Sequence, residues 1–309
     1  MMNGFLSIYG LCLLGISVLS FDMLETGVRA RGLRRCTRGV LYTLALILGV
    51  VCARGFYMIT SPYGGMTELF FSFWPYEYAL SGAAIGVIAA GLLTALLTRQ
   101  SIGYVLDAMT PTALVTLALA RCAEVFADFG WGAVVEGKWA KFPFAVRDGF
   151  EQWRLCVFFL EALLAFLVLA YAKVWRRKMP GEMFSIALCW MAMGHLFLET
   201  LRAESICWGF VRVQQLACAV FALGLLIGWS AKNRLSGAHI RNSLIVFFLC
   251  IGVIVFSQYA MDKLTHVLPV PASYGLMGAA LMIMGVTVQR TICLSPQKLL
   301  IKVRYKKEA

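Results

Sequence analysis

Nine apolar runs of roughly bilayer-crossing length dominate this 309-residue chain: Phe5–Phe21, Gly39–Ile59, Ala79–Leu97, Thr110–Phe126, Trp153–Ala172, Met183–Leu201, Val213–Trp229, Asn242–Ala260 and Tyr274–Val288. Crossing hydrocarbon as a helix takes ~20 mostly apolar residues. A backbone without water must satisfy its own polar groups, so such runs are helices unless they alternate as barrel strands do, and none alternates. The expectation is an all-α, polytopic membrane helix bundle of about nine transmembrane helices. Composition agrees: 61% of residues are hydrophobic and 14% charged, against ~45–50% and ~25% in soluble domains. That excludes a soluble globular, disordered or collagen-like chain. The ten cysteines, among them Cys12, Cys52, Cys189 and Cys250, lie mostly inside the runs, with no CxxC pair and no Cys/His ligand spacing. They read as small buried hydrophobes, with no metal site. The first run lacks a basic leader and a small-residue cleavage site, so no cleavable signal peptide is expected.

The net charge of +12 is distributed as a topology signal. Basic residues collect in alternate connections: Arg29, Arg31, Arg34, Arg35 and Arg38; Arg99; Lys173, Arg176, Arg177 and Lys178; Lys232, Arg234 and Arg241; and a tail holding Arg290, Lys298, Lys302, Arg304, Lys306 and Lys307. The Lys/Arg-rich side is cytoplasmic, which puts the N-terminus outside and the C-terminus in the cytoplasm. The basic excess also suits anionic lipid, and no nucleic-acid partner is expected. Two opposite segments, 60–78 and 127–152, are long and aromatic (Phe70, Phe71, Phe73, Trp74, Tyr76; Phe129, Trp131, Trp139, Phe142). They read either as interfacial anchors or as a partly embedded lid over a site.

Ionisable groups inside a span cost a few kcal/mol and mark function by default. The candidates are Arg54, Arg121, Glu124, Arg154, Glu161, His195, Glu199 and Arg202. Even-numbered spans run outward, so Arg54, Arg121, Glu124, Glu199 and Arg202 fall in their outer parts. Odd-numbered spans begin outside, bringing Tyr9, Ser81, Arg154 and Gln215 to the same depth, that of outer-leaflet headgroups. Arg121 and Glu124 share one helical face; His195, Glu199 and Arg202, at i, i+4 and i+7, form one stripe expected to face the bundle interior. Two readings are open. One is internal salt bridges, Arg121–Glu124 and Glu199–Arg202, that hold helices in register. The other is an anion site, because guanidinium forks fit phosphate and stay charged when desolvated.

At these residues the sequence resembles the bacterial prolipoprotein diacylglyceryl transferase family, across roughly the first seven spans. Ile8-Tyr9-Gly10-Leu11 is similar to the family's Tyr-Gly motif, and Cys52-Ala53-Arg54 to its Gly-Ala-Arg. Ser81-Gly82-Ala83-Ala84-Ile85-Gly86 occupies the place of a His-Gly-Gly-x-x-Gly. Asp107 precedes Arg121 by fourteen positions, the family's spacing from an Asp to its signature Arg. That signature runs Arg, two positions, Asn-Phe, one position, Asn, one position, Glu, two positions, Gly. Here Arg121 and Gly132 are kept, while Glu124, Val125, Ala127 and Phe129 stand at the other positions. His195, Glu199 and Arg202 parallel an Arg-x-x-x-Glu-x-x-Arg element, with His195 for the first Arg, and Gln215 falls where the family opens span 7 with a Gln.

The resemblance implies transfer of a diacylglyceryl group from phosphatidylglycerol to the lipobox cysteine thiol of exported prolipoproteins, in the bacterial cytoplasmic membrane. The implied partners are phosphatidylglycerol, prolipoprotein signal peptides and the lipid bilayer, without cofactor or metal. Arg121 and Arg202 would clamp phosphate, Tyr9 and Gln215 orient the headgroup, and Glu199 hold Arg202; Arg54, Ser81 and Gly132 complete the binding set. Ser81 cannot take a proton as the family's His can, and Glu124 competes with phosphate for Arg121. The candidates for the base are His195, whose intrinsic pKa is closest to neutral, and Glu124. The implied division is a transferase-like seven-helix core over 1–235, an added helical hairpin over 236–292 and a basic cytoplasmic tail over 293–309. The alternative is a non-catalytic lipid-binding or scaffolding homologue that kept Arg121 and Arg202 but lost proton transfer.

Overall fold

Backbone groups in hydrocarbon have only one another as partners, and nine helices among the described residues meet that demand. The computed structural model describes residues 2–61, 78–127, 130–175, 179–203, 205–208, 211–263, 266 and 268–294. The aromatics from Phe70 to Tyr76, together with Phe129, Arg176, Arg177, Lys178 and the tail beyond Leu294, lie outside them. The helices are α1 (Met2–Ala30), α2 (Cys36–Thr60), α3 (Leu80–Thr98), α4 (Ile102–Ala123), α5 (Val157–Val174), α6 (Glu182–Leu198), α7 (Val213–Lys232), α8 (Gly237–Lys263) and α9 (Val270–Cys293).

Several helices outlast their apolar runs. α1 continues past Phe21 through Asp22, Glu25 and Arg29, because a helical backbone needs no change where charged side chains meet water. Glu25 pairs there with Arg29 and Arg38. Pro271 stands in the first turn of α9, behind Pro269 at its N-cap, where a missing N–H breaks no bond. The fifth run departs from expectation at its start. Trp153–Leu155 is a strand, β2, paired antiparallel with β1 (Ala145–Arg147), and α5 begins only at Val157. Arg154 therefore lies outside any membrane-crossing helix. A second two-residue ladder joins β3 (Cys207–Trp208) to β4 (Val211–Arg212).

The chain divides into two compact units. The first comprises Met1–Ala187 and Gly194–Cys218. Between lipid-embedded helices no hydrophobic force acts, so small residues that permit close backbone approach set the packing. Gly82 and Gly86 of α3 supply that against α2: a Cβ on Gly86 would lie 2.1 Å from the Leu48 carbonyl oxygen, and one on Gly82 would lie 2.4 Å from that of Cys52. α1 meets α4 in the same way, Gly27 lying against the Ala108 carbonyl, with Ser20 and Thr116 hydroxyls 2.5 Å apart. Leu24, Val28, Leu41, Val105, Leu106 and Met109 fill the space between α1, α2 and α4. At this end Asp107 caps α6: its carboxylate accepts the Gly181 and Phe184 N–H groups, both at 2.9 Å. A negative group at a helix N-terminus satisfies orphan donors and meets the positive end of the dipole.

The second unit comprises Leu188–Met193 and Ala219–Ala309. Here α8 packs on α9. Trp190 donates its indole N–H to Gln289 at 2.7 Å, and Asn233 donates to the Thr291 carbonyl at 2.9 Å.

Replacing Gly86 by Leu drives a side chain into the α2 backbone. Overpacking of this kind costs about 1–3 kcal/mol, so the thermal unfolding midpoint in detergent should fall clearly. Gly55→Ala, with nothing within 4 Å of the added Cβ, should leave it unchanged.

Candidate active site

In the first unit, two helices stop just where the ionisable residues begin. α4 carries Arg121 in its last turn and passes into a 3-10 turn, Glu124–Phe126. α6 carries His195 in its last turn and passes into another, Glu199–Leu201. A basic group near a helix C-terminus suits the negative end of the dipole. Arg202 then leaves in extended conformation, φ −74° and ψ 136°, and its backbone bridges Gly132. The continuous helical stripe expected for His195, Glu199 and Arg202 thus breaks after Leu198, because the chain must turn to pair with the 132 segment. The three side chains nevertheless converge.

His195 and Arg202 meet Glu161, on the second turn of α5 and only 2% exposed. Its Oε2 lies 2.6 Å from Arg121 Nε and accepts from Arg202 Nη2 at 3.1 Å. Its Oε1 lies 3.1 Å from the same Arg202 nitrogen and 3.3 Å from His195 Nδ1. Arg121 is shared with Glu124. Glu199 places Oε2 3.8 Å from both His195 Nε2 and Arg202 Nε. Both internal salt bridges that the spacing allowed are therefore present, and a third carboxylate, read from sequence only as an ionisable group in a run, joins them across helices. Two guanidiniums and one imidazole face three carboxylates. Glu124 Oε2, Glu199 Oε2 and both ring nitrogens of His195 are buried without a hydrogen-bond partner, an arrangement that leaves acceptor capacity inside the cluster.

The remaining predicted residues divide into those that join this cluster and those that do not. α1 packs on the 124–126 turn, and Tyr9 lies within electrostatic reach of Glu124 and Arg121. Gln215 donates Nε2 to the Leu196 carbonyl at 3.1 Å, beside the end of α6. Gly132 acts through its backbone: its N–H donates to the Leu155 carbonyl at 2.8 Å, and a Cβ would stand 2.8 Å from the Leu201 carbonyl oxygen. Ser81 is engaged elsewhere, its N–H and hydroxyl both directed at Gln214 Oε1. Arg54 lies over the rings of Tyr57 and Tyr78, at 6.0 and 5.7 Å. Arg154 pairs with Asp148 at 2.5 Å on the β1–β2 hairpin. Asp107 belongs to the other end of α4.

Arg212 escaped the sequence reading. Its Nη1 donates to the carbonyls of Glu199 and Arg202, at 2.5 and 3.1 Å, and to the Ser205 hydroxyl at 2.7 Å, closing the turn that carries Glu199 and Arg202. The available signal was a basic residue on the side that otherwise holds few.

A family model described as prolipoprotein diacylglyceryl transferase matches residues 3–230. The phosphatidylglycerol–prolipoprotein diacylglyceryl transferase of Clostridium novyi (strain NT) is 26% identical over 207 residues, 63% of this chain and 80% of its own length. That of Streptococcus pyogenes serotype M5 (strain Manfredo) is 25% identical over 239 residues, 74% of this chain and 92% of its own. The family match takes in every residue of the cluster and ends within α7, short of α8 and α9.

Removing the shared carboxylate leaves the buried Arg121 guanidinium and the partly buried Arg202 guanidinium short of a partner; breaking a buried pair costs about 3–5 kcal/mol. Glu161→Ala should therefore lower the thermal midpoint in detergent far more than Leu163→Ala on the exposed face of the same helix, with Glu161→Asp intermediate.

Proposed function

The chain belongs to the prolipoprotein diacylglyceryl transferase family, and we propose that it moves a diacylglyceryl group from phosphatidylglycerol to the cysteine thiol of a prolipoprotein, as a multi-pass protein of the bacterial cytoplasmic membrane. The observation that carries this reading is the gathering of Arg121, Arg202, His195 and three carboxylates at one end of the spans, inside the matched stretch. The basic connections at the opposite ends support an extracytoplasmic position for the cluster, with the N-terminus outside and the C-terminus in the cytoplasm. On that side it meets outer-leaflet lipid and the signal peptide of an exported substrate.

In the reaction, a sulfur–carbon bond forms at the glyceryl carbon that carries the phosphate. The carbon–oxygen bond to that phosphate breaks, and glycerol phosphate leaves with the electron pair. Charge develops on the phosphate oxygens, where fixed cationic donors stabilise it most. Arg121 and Arg202 are the donors. Both are paired in the resting cluster, so phosphate enters by exchange: Glu161 keeps the two guanidiniums aligned while Glu124 yields its share of Arg121. The thiol proton goes to a base held by a neighbouring group. His195 has Glu161 on one ring nitrogen and Glu199 on the other, and Glu124 keeps an unengaged oxygen. Tyr9 and Gln215 orient the headgroup, and Gly132 with Arg212 fixes the backbone that presents Arg202.

Purified protein in phosphatidylglycerol vesicles should add one diacylglyceryl unit to a lipobox peptide, read by mass. Binding of the lipid without any transfer would overturn the assignment. Arg202→Gln should lower turnover by about 10²–10³-fold, the usual consequence of losing one transition-state donor.

His195→Ala and Glu124→Gln, assayed separately, should identify the base by a loss of about 10²–10⁴-fold. Unchanged turnover in both removes the two from the mechanism.

A further inference from the structure

The segment between α4 and α5 is not a loose loop. It contains a 3-10 turn, Gly137–Trp139, and the β1–β2 hairpin. Residues 132–135 run along β2 through the Gly132 and Val135 N–H groups, both donating at 2.8 Å. Its aromatics are sorted. Trp131 is 6% exposed and packs edge-on to Phe158 at 5.4 Å. Trp139 and Phe142 are 58% and 66% exposed, and Lys141 is exposed between them.

The outward rings meet the membrane-facing side of a span. On α5 the exposed apolar positions include Leu163, Phe166, Leu167 and Tyr171, a stripe at helical spacing that faces lipid in a membrane-crossing helix. Phe159 lies one turn above Leu163 on the same face, and Phe142 packs edge-on to it at 5.9 Å. Phe142 thus continues the lipid-facing stripe at the level where α5 enters hydrocarbon, and Trp139, edge-on to Phe144 at 5.1 Å, extends it sideways. Indole rings favour the headgroup zone, and a lysine beside them meets lipid phosphate.

We propose that Trp139, Lys141 and Phe142 seat this folded segment in the headgroup zone of the leaflet where α5 begins, the partner being the lipid surface itself. The inner side of the segment holds the Arg202 backbone, through the Gly132 bridge and the Ala203 N–H donating to the Trp131 carbonyl at 3.1 Å. The seat therefore fixes the depth of Arg202 relative to phosphate. This goes beyond the transfer reaction and stands or falls without it.

The test uses the full chain reconstituted in phosphatidylglycerol vesicles containing lipids brominated either high or low on their acyl chains, with tryptophan quenching as the readout. Shallow bromines should quench the wild type more than Trp139→Phe, by about one tryptophan's share of the eight present. Phe142→Trp should add a comparable share, which keeps the test decisive if the first variant folds poorly. Equal quenching in wild type and both variants overturns the proposal, as does quenching by deep bromines alone. Protection of Trp139 that arises only on adding a lipobox peptide overturns it in favour of a peptide-docking surface.

Discussion

One carboxylate out of water holds this site together. Glu161 faces Arg121, Arg202 and His195 at 2.6 to 3.3 Å, from a position that is itself almost wholly buried. Burying such charges carries a desolvation penalty that the pairing must offset, so a pair is stable only while both partners stay. That dependence ties α4, α5 and the turn after α6 to one point. It also aligns two guanidiniums before any ligand arrives, which is what a reaction that develops charge on phosphate needs: donors whose orientation does not have to be reorganised during the step.

The fold supplies this point by ending helices there. α4 and α6 both tighten into 3-10 turns, freeing Glu124 and Glu199 from the register of the preceding helix. The extended backbone at Arg202 then pairs with Gly132, and Arg212 ties the turn from the other side. At the opposite end Asp107 of α4 caps α6, which ties together the two helices from which these turns emerge. Away from the cluster, Ser81 meets Gln214, and Arg154 pairs with Asp148.

Much of this was legible in the chain, because hydropathy reports directly on the solvent around a segment. The nine spans follow from the runs, and the eight candidate ionisable groups include every charged member of the cluster; Arg212, which closes the turn beside it, lies just beyond a run. Spacing also allowed the Arg121–Glu124 and Glu199–Arg202 contacts as one of two open readings, since i, i+3 neighbours meet on a helix or a 3-10 turn alike. Less legible were partners distant in sequence. Nothing local marks Glu161 as the bridge between Arg121 and Arg202, and the long apolar run that follows Trp153–Leu155 conceals a strand there that pairs with β1 instead of beginning α5.

By itself the sequence determined that the chain crosses a bilayer, which residues are too polar to face lipid, and that its first seven spans resemble a transferase family. Burial in hydrocarbon imposes the first two residue by residue, with no knowledge of neighbours, and the order and spacing of short motifs carry the third. Tertiary structure alone decided which carboxylate each guanidinium meets, where α6 gives way to an extended backbone, and which aromatics of the 130–156 segment turn inward. Those choices depend on helices brought together from far apart in the chain, and local pattern carries no record of the contact that makes a buried charge tolerable.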